Sequence, residues 1–264
     1  MRKSKKVVFA GLLAIAVLGC GACAKSSEEY IAERLAEMNG GTPAGQVSEE
    51  EQQAKDVVMG MIEDLPAVKE EQKNKKEKAS FGTWEGQTYT NEYLGLTCTF
   101  DSDWMIYSAS ELQEIDSSVE DMLEQTDIAK YLEDMMFFKD MMAENAKELT
   151  SVNITYSKMS EQEKKYYATM TEKEIVSKTN SSMELLGNTY EQMGMTLKEE
   201  AVREIFFLGE MRSVQYLHFD YMGMPYYAIQ IYNYHSGDYS TVLTLSSFRE
   251  DKTTELLNMF AKCK

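Results

Sequence analysis

The chain reads as an α+β protein in which an antiparallel sheet carries helices on both faces, an α/β/α sandwich, preceded by a short helical stalk. Three observations predict this. Aromatic and β-branched stretches come in runs from Gly82 onward, with helical stretches between and after them instead of in strict alternation, which is the order expected of an antiparallel sheet. The strands of the second half follow one another across loops short enough for hairpins. Ile205-Phe206-Phe207-Leu208 is apolar at every position, so a strand there would have both faces covered. About 180 residues, from Phe81 to Lys264, suffice for one domain with its own core.

The first residues do not belong to that domain. Arg2, Lys3, Lys5 and Lys6 precede an uncharged apolar stretch from Val7 to Leu18, too short for a helix that needs about 20 residues to span a bilayer. Residues 1–19 therefore read as a signal peptide. The stretch ends in Val17-Leu18-Gly19-Cys20, which resembles the lipobox of bacterial lipoproteins. That resemblance implies acylation of Cys20, cleavage before it, and a chain anchored to the outer face of the bacterial cytoplasmic membrane. Loss of the leader leaves 23 basic residues against 44 acidic ones, a net charge of −21. Such a charge argues against nucleic acid and against attraction to anionic lipid, so the acyl chains on Cys20 would be the membrane link.

Residues 20–80 read as anchor and stalk. Ser27 to Met38 and Ser48 to Leu65 have helical patterning, the second with Val57, Val58, Met61, Ile62 and Leu65 in one stripe. Val68 to Lys78 is almost wholly Lys, Glu, Gln and Asn, a composition that cannot bury a core. The second helix either stands in this stalk or docks on the domain.

Within 81–264, Thr83 to Asn91, Tyr93 to Phe100 and Trp104 to Tyr107 read as strands. Ser108 with Glu111 is a capping box that opens a helix, continued through Ser118 to Asp134. Phe137 to Ala143 and Val152 to Tyr156 are strands again. A second capping box, Thr171 with Glu174, starts a long helix to Met193 that stops at Gly194. Val202 to Leu208, Met211 to Met222, Tyr226 to Tyr234 and Tyr239 to Phe248 are four strands, and Asp251 to Lys262 is a closing amphipathic helix. Cys98 and Cys263 fall on apolar positions and read as buried thiols, a bridge between them being the less favoured alternative.

Tyr93-Leu94-Gly95-Leu96, the aromatic Phe100 and then Asp103-Trp104 are together similar to the opening of PsbP-like domains, and to lipoproteins of Gram-positive gut bacteria that begin with such a pattern. The resemblance implies a PsbP-like sandwich over Gly82 to Lys262. Asp101-Ser102-Asp103 stands where those domains usually have a proline, and no functional residue carries over.

Motifs that carry chemistry are scarce. The two histidines, His218 and His235, fall on different strands, and no H-E-x-x-H or G-x-S-x-G occurs. Cys20-Gly21-Ala22-Cys23 has redox spacing, with its first thiol assigned to lipid. Asp116, Glu120, Asp121, Glu124 and Asp127 recur at helical intervals without the glycine-punctuated loop of a calcium site, and read as a solvated helix face. No metal, cofactor or catalytic residue is assigned.

One aromatic face is a candidate binding surface. If Leu217, Phe219 and Tyr221 share a core face with Ile229 and Ile231, residue 217 stands opposite 231 across a Gly223-Met224-Pro225 loop. The other face then displays Tyr216, His218, Asp220, Tyr232 and Tyr234, rings and hydrogen-bonding groups suited to a glycan, a peptide or an envelope protein. The competing reading buries these tyrosines under the 171–193 helix. The expected function is that of a non-enzymatic, membrane-anchored binding module of the cell envelope. A hydrolase using a carboxylate pair and an assembly factor for secreted proteins are the alternatives.

Overall fold

The structure is a computed structural model and describes residues 81–124, 137–183, 190–191, 194–234 and 237–263. The leader, Cys20, the stalk, His235 and the expected helical continuation from 125 to 134 lie outside the described residues. Two antiparallel sheets make the frame. The smaller has the order β1-β2-β3-β11, formed by Gly82–Glu85, Thr88–Asn91, Leu96–Thr99 and Phe260–Lys262. The larger runs β4-β5-β6-β10-β9-β8-β7, from Met105–Ile106 (β4), Phe137–Asn145 (β5), Thr150–Lys158 (β6), Met195–Phe207 (β7), Glu210–Tyr221 (β8), Met224–Asn233 (β9) and Tyr239–Phe248 (β10).

The large sheet is covered differently on its two faces. Tyr167, Ile175 and Val176 pack on Leu217, Phe219, Ala228, Tyr232 and Val242. They come from helices α2 (Glu161–Tyr167) and α3 (Glu172–Met183), and Ile115 of α1 (Ala109–Glu124) joins them. The opposite face buries Val152, Ile154, Ile229, Ile231, Leu243 and Leu245 against Tyr89, Leu96, Cys98 and Phe260 of the small sheet. Among the described residues only α4 (Thr253–Leu257), with Leu256 and Leu257, adds helix there. The expectation of helices on both faces is thus not confirmed: among the described residues a second sheet does most of the covering. The closing helix expected over Asp251 to Lys262 is cut short at Leu257, because Phe260 to Lys262 instead pairs with β3.

Local signals account for many of the boundaries. Ser108 and Thr171 cap α1 and α3 as expected: the backbone N–H of Ser108 donates to Glu111 at 2.8 Å and that of Thr171 to Glu174 at 2.8 Å. Ser160 and Glu163 make a third capping box, which starts α2. Gly194, at φ +74°, closes the approach to β7. Strand β10 has the expected limits, and Leu243 stands opposite Ile231 as the alternation requires.

The β8–β9 register differs from expectation. Tyr216 faces Ile229 and Leu217 faces Ala228, three residues away from a pairing of 217 with 231. A two-residue turn sets this register. Tyr221 pairs with Met224, while Met222 (φ +51°) and Gly223 (φ +86°) both adopt the left-handed conformation that suits a tight hairpin. The strand carrying Ile205 to Phe207 also departs from expectation. β7 is an edge of the sheet, and Phe206 is 70% exposed.

Candidate functional site

The register shift disperses the expected aromatic face. Tyr216 lies on the side of the small sheet and is buried; its hydroxyl donates to Asp251 at 3.0 Å and the Arg203 guanidinium sits 3.2 Å from its ring centre. Burial, with the Asp251 hydrogen bond behind it, pushes the Tyr216 hydroxyl up to about 12. His218 stacks on Tyr227 at 4.5 Å, and Asp220 accepts the Gly223 N–H at 2.7 Å, stapling the β8–β9 turn. Tyr232 and Tyr234 lie on the opposite side, under the helices. The Tyr232 hydroxyl reaches Gln215 Oε1 at 2.6 Å and Gln230 Oε1 at 2.8 Å, and Tyr234 stacks on Tyr167 at 4.0 Å. These five residues therefore form no common surface, and the three tyrosines are core.

Strand β5 gathers the charges that the core does hold, which its sequence, Phe-Phe-Lys-Asp-Met-Met-Ala-Glu-Asn, shows without locating their partners. Lys139, 1% exposed, donates through Nζ to Asp116 Oδ1 at 3.0 Å and through its backbone N–H to Oδ2 at 3.1 Å. Asp116 is thus a buried counter-ion that ties α1 to β5, in contrast to the solvated position expected for it. Asp140, at a bulge in β5, accepts from the Tyr89 hydroxyl at 2.5 Å and from the Phe81 and Gly82 N–H groups at 3.2 and 3.0 Å. Asn91 closes this network by donating to Tyr89 and Tyr156 at 2.7 and 2.8 Å. Glu144 accepts from Tyr107 at 2.7 Å through one oxygen, while the other is buried without a partner. Burial pushes its carboxyl up to about 7. Cys98 and Cys263 are free thiols, and Cys98 stands opposite Phe260, away from Cys263. Burial raises the Cys98 thiol to about 12.

Two surface features remain. A shallow pocket of about 560 Å³ on the small sheet is lined by Thr90, Glu92, Thr97, Ala261, Lys262 and Cys263. Its floor carries a Thr90–Thr97 hydroxyl contact at 3.2 Å. The second feature is the β7–β8 edge. Phe206 and Met211 are cross-strand partners at the hairpin tip, 70% and 60% exposed. They lie beside the turn Leu208-Gly209, whose residues have φ +49° and +82°. Lys198, Glu199, Arg203 and Glu204 are exposed along the same strand. An edge strand leaves backbone donors and acceptors open to another chain, so this edge joins hydrogen-bonding capacity, apolar area and charge. Sequence reasoning missed it because an apolar tetrad reads as interior. Among the described residues no group of three His, Cys, Asp or Glu side chains could hold a metal ion, and no helix is long and apolar enough to cross a membrane.

No family model and no curated protein matches the chain. Among solved structures, the solution structure of cyanobacterial PsbP (CyanoP) from Synechocystis sp. PCC 6803 is similar to it over 69% of this chain and 98% of that one. The identity is 13% and the TM-score 0.35.

Proposed function

We propose that this chain is a membrane-anchored binding module of the bacterial cell envelope, held through acyl groups on Cys20, which makes its contact through the β7–β8 edge. The observation that carries the contact surface is the pairing of Phe206 with Met211, two large apolar side chains left in solvent at the tip of a strand that is an edge among the described residues. Scattered single apolar residues need no explanation, whereas an apolar pair beside unpaired strand backbone suits strand addition and its side-chain anchors. The lipobox-like segment and the charge of −21 support the rest of the reading: the lipid would hold the chain at a surface that its charge does not seek.

Both halves can be tested in one experiment. A photo-crosslinking amino acid is placed at Phe206, or at the exposed Thr99 of the small sheet, in the whole chain produced in a Gram-positive host. The expected result is an adduct from position 206 and none from 99, in the membrane fraction, with Cys20→Ala releasing the chain from that fraction. Absence of any adduct at 206 rejects the contact surface, and membrane retention of the Cys20→Ala chain rejects the anchor.

A further inference from the structure

The occupant of the β7 edge is where the structure says more, given the reading above that this edge makes the contact. We infer that β7 pairs with β7 of a second copy, antiparallel and centred on Ala201, joining two seven-stranded sheets into one. The charges along the strand carry the inference. When two identical strands pair about a two-fold axis perpendicular to the sheet, opposite residues share a face, and their numbers sum to twice that of the central residue. Centred on Ala201, Glu199 faces Arg203 of the second copy, while Lys198 stands in the bulge where β7 shifts register against β8. Glu200 meets the uncharged Val202, and beyond the bulge Leu197 meets Glu204. The symmetry repeats every one of these pairs.

Neighbouring registers are poor by the same rule. A slip of one residue in the centre toward Glu200 sets Glu200 against itself. A slip toward Val202 sets Glu200 against Glu204, and like charges directly opposite are unfavourable. Charges on an edge strand ordinarily block pairing. Here they admit one register and oppose those beside it.

Two further features fit that register. Arg203 is held on the Tyr216 ring, 3.2 Å from its centre, and 3.2 Å from Glu199 of its own chain, so the pair that would cross the axis is already set on one face. The exposed apolar side chains also fall at matching ends. Phe206 and Met211 mark one end of the β7–β8 ribbon, and Met222, 45% exposed, lies over Gly194 at the other. With the bulge at Lys198 counted, pairing about Ala201 puts Phe206 opposite Met195 of the second copy, beside that chain's Gly194 and Met222. Both apolar ends are covered by one operation.

The test is the mass of the whole chain in detergent solution, followed by sedimentation over a dilution series. The expected result is a dimer that dissociates on dilution. Glu199→Arg or Arg203→Glu alone sets like charges across the axis twice and should weaken the dimer roughly ten- to a hundredfold. The double exchange Glu199→Arg with Arg203→Glu should restore it. Both residues are exposed, and an unchanged melting temperature establishes that each variant is folded. Ala201→Cys places two thiols together at the axis and should give a covalent dimer on mild oxidation, above the background of the unaltered chain. A monomer at every concentration overturns the inference, as does a dimer indifferent to both single exchanges. If the chain is monomeric while position 206 crosslinks to a different envelope protein, the self-pairing fails and the binding reading stands.

Discussion

Glu144 is enclosed at the end of β5 with a hydrogen bond to one oxygen and none to the other. Its folded-state value of about 7 lies above its ordinary 4.5, so between those two values the folded protein holds a proton that the unfolded chain has released. Stability contributed by this group is therefore present below pH 4.5 and is lost as the pH rises toward 7, amounting to up to about 3 kcal/mol. Glu144→Gln keeps an acceptor for Tyr107 and removes the ionisation. Its melting temperature should exceed that of the parent at pH 8 and approach it near pH 4.5. Equal differences at both pH values would show that Glu144 stays ionised in the fold. Lys139 and Asp140, its neighbours in the same strand, avoid this conflict because each is matched by a partner of suitable charge or donor count. Burial without such partners would cost several kcal/mol per ion.

Helix α3 is fastened to the sheet at its first turn. Glu172 accepts from Arg212 Nε at 2.5 Å and from the Ser213 N–H at 2.7 Å, and Arg212 Nη2 donates onward to the Tyr232 carbonyl at 3.0 Å. Glu172→Ala removes both acceptors from a partly buried site and should cost about 2 kcal/mol in urea unfolding. The adjacent Lys173→Ala breaks only an exposed pair with Glu204 and should change stability by less than about 0.5 kcal/mol. Similar losses in the two variants would mean that the clasp does not dock the helix. The capping boxes at Ser108 and Thr171 were legible because they are local, and β10 was legible because its alternation is long and bounded by turns. The Ser160 box carries the same signature, just after a strand and ahead of the Thr171 box. The β8–β9 register was not legible. Leu217, Phe219 and Tyr221 and then Ile229 and Ile231 are all core, but of two different cores, so matching apolar with apolar gave the wrong partner. The face taken as open is polar because Gln215 and Gln230 both present their side-chain oxygens to the Tyr232 hydroxyl beneath the helices.

Two cores sharing one sheet place a demand on where the domain begins. Phe81 packs on Tyr93, Tyr156 and Tyr239 with ring centres 4.9, 4.5 and 5.1 Å away. With Gly82 it supplies two of the N–H groups that Asp140 accepts between the sheets. Gly82 is itself constrained, since a Cβ there would run into the Tyr89 ring. Phe81 and Gly82, the first of the described residues, are thus already part of the inter-sheet network. Trypsin acting on the whole chain should cut among Lys69, Lys73, Lys75, Lys76 and Lys78 and leave a fragment that runs to the C-terminus, exposed polar segments being nicked first. A chain of residues 79–264 should then melt where that fragment melts. A chain of residues 83–264 loses the Phe81 ring and leaves Asp140 short of two donors, and it should be less stable by roughly 3 kcal/mol. Equal stability of the two truncated chains would show that the sheets are held together without Phe81 and Gly82, and protection of all five lysines would move the boundary of the folded unit toward the N-terminus.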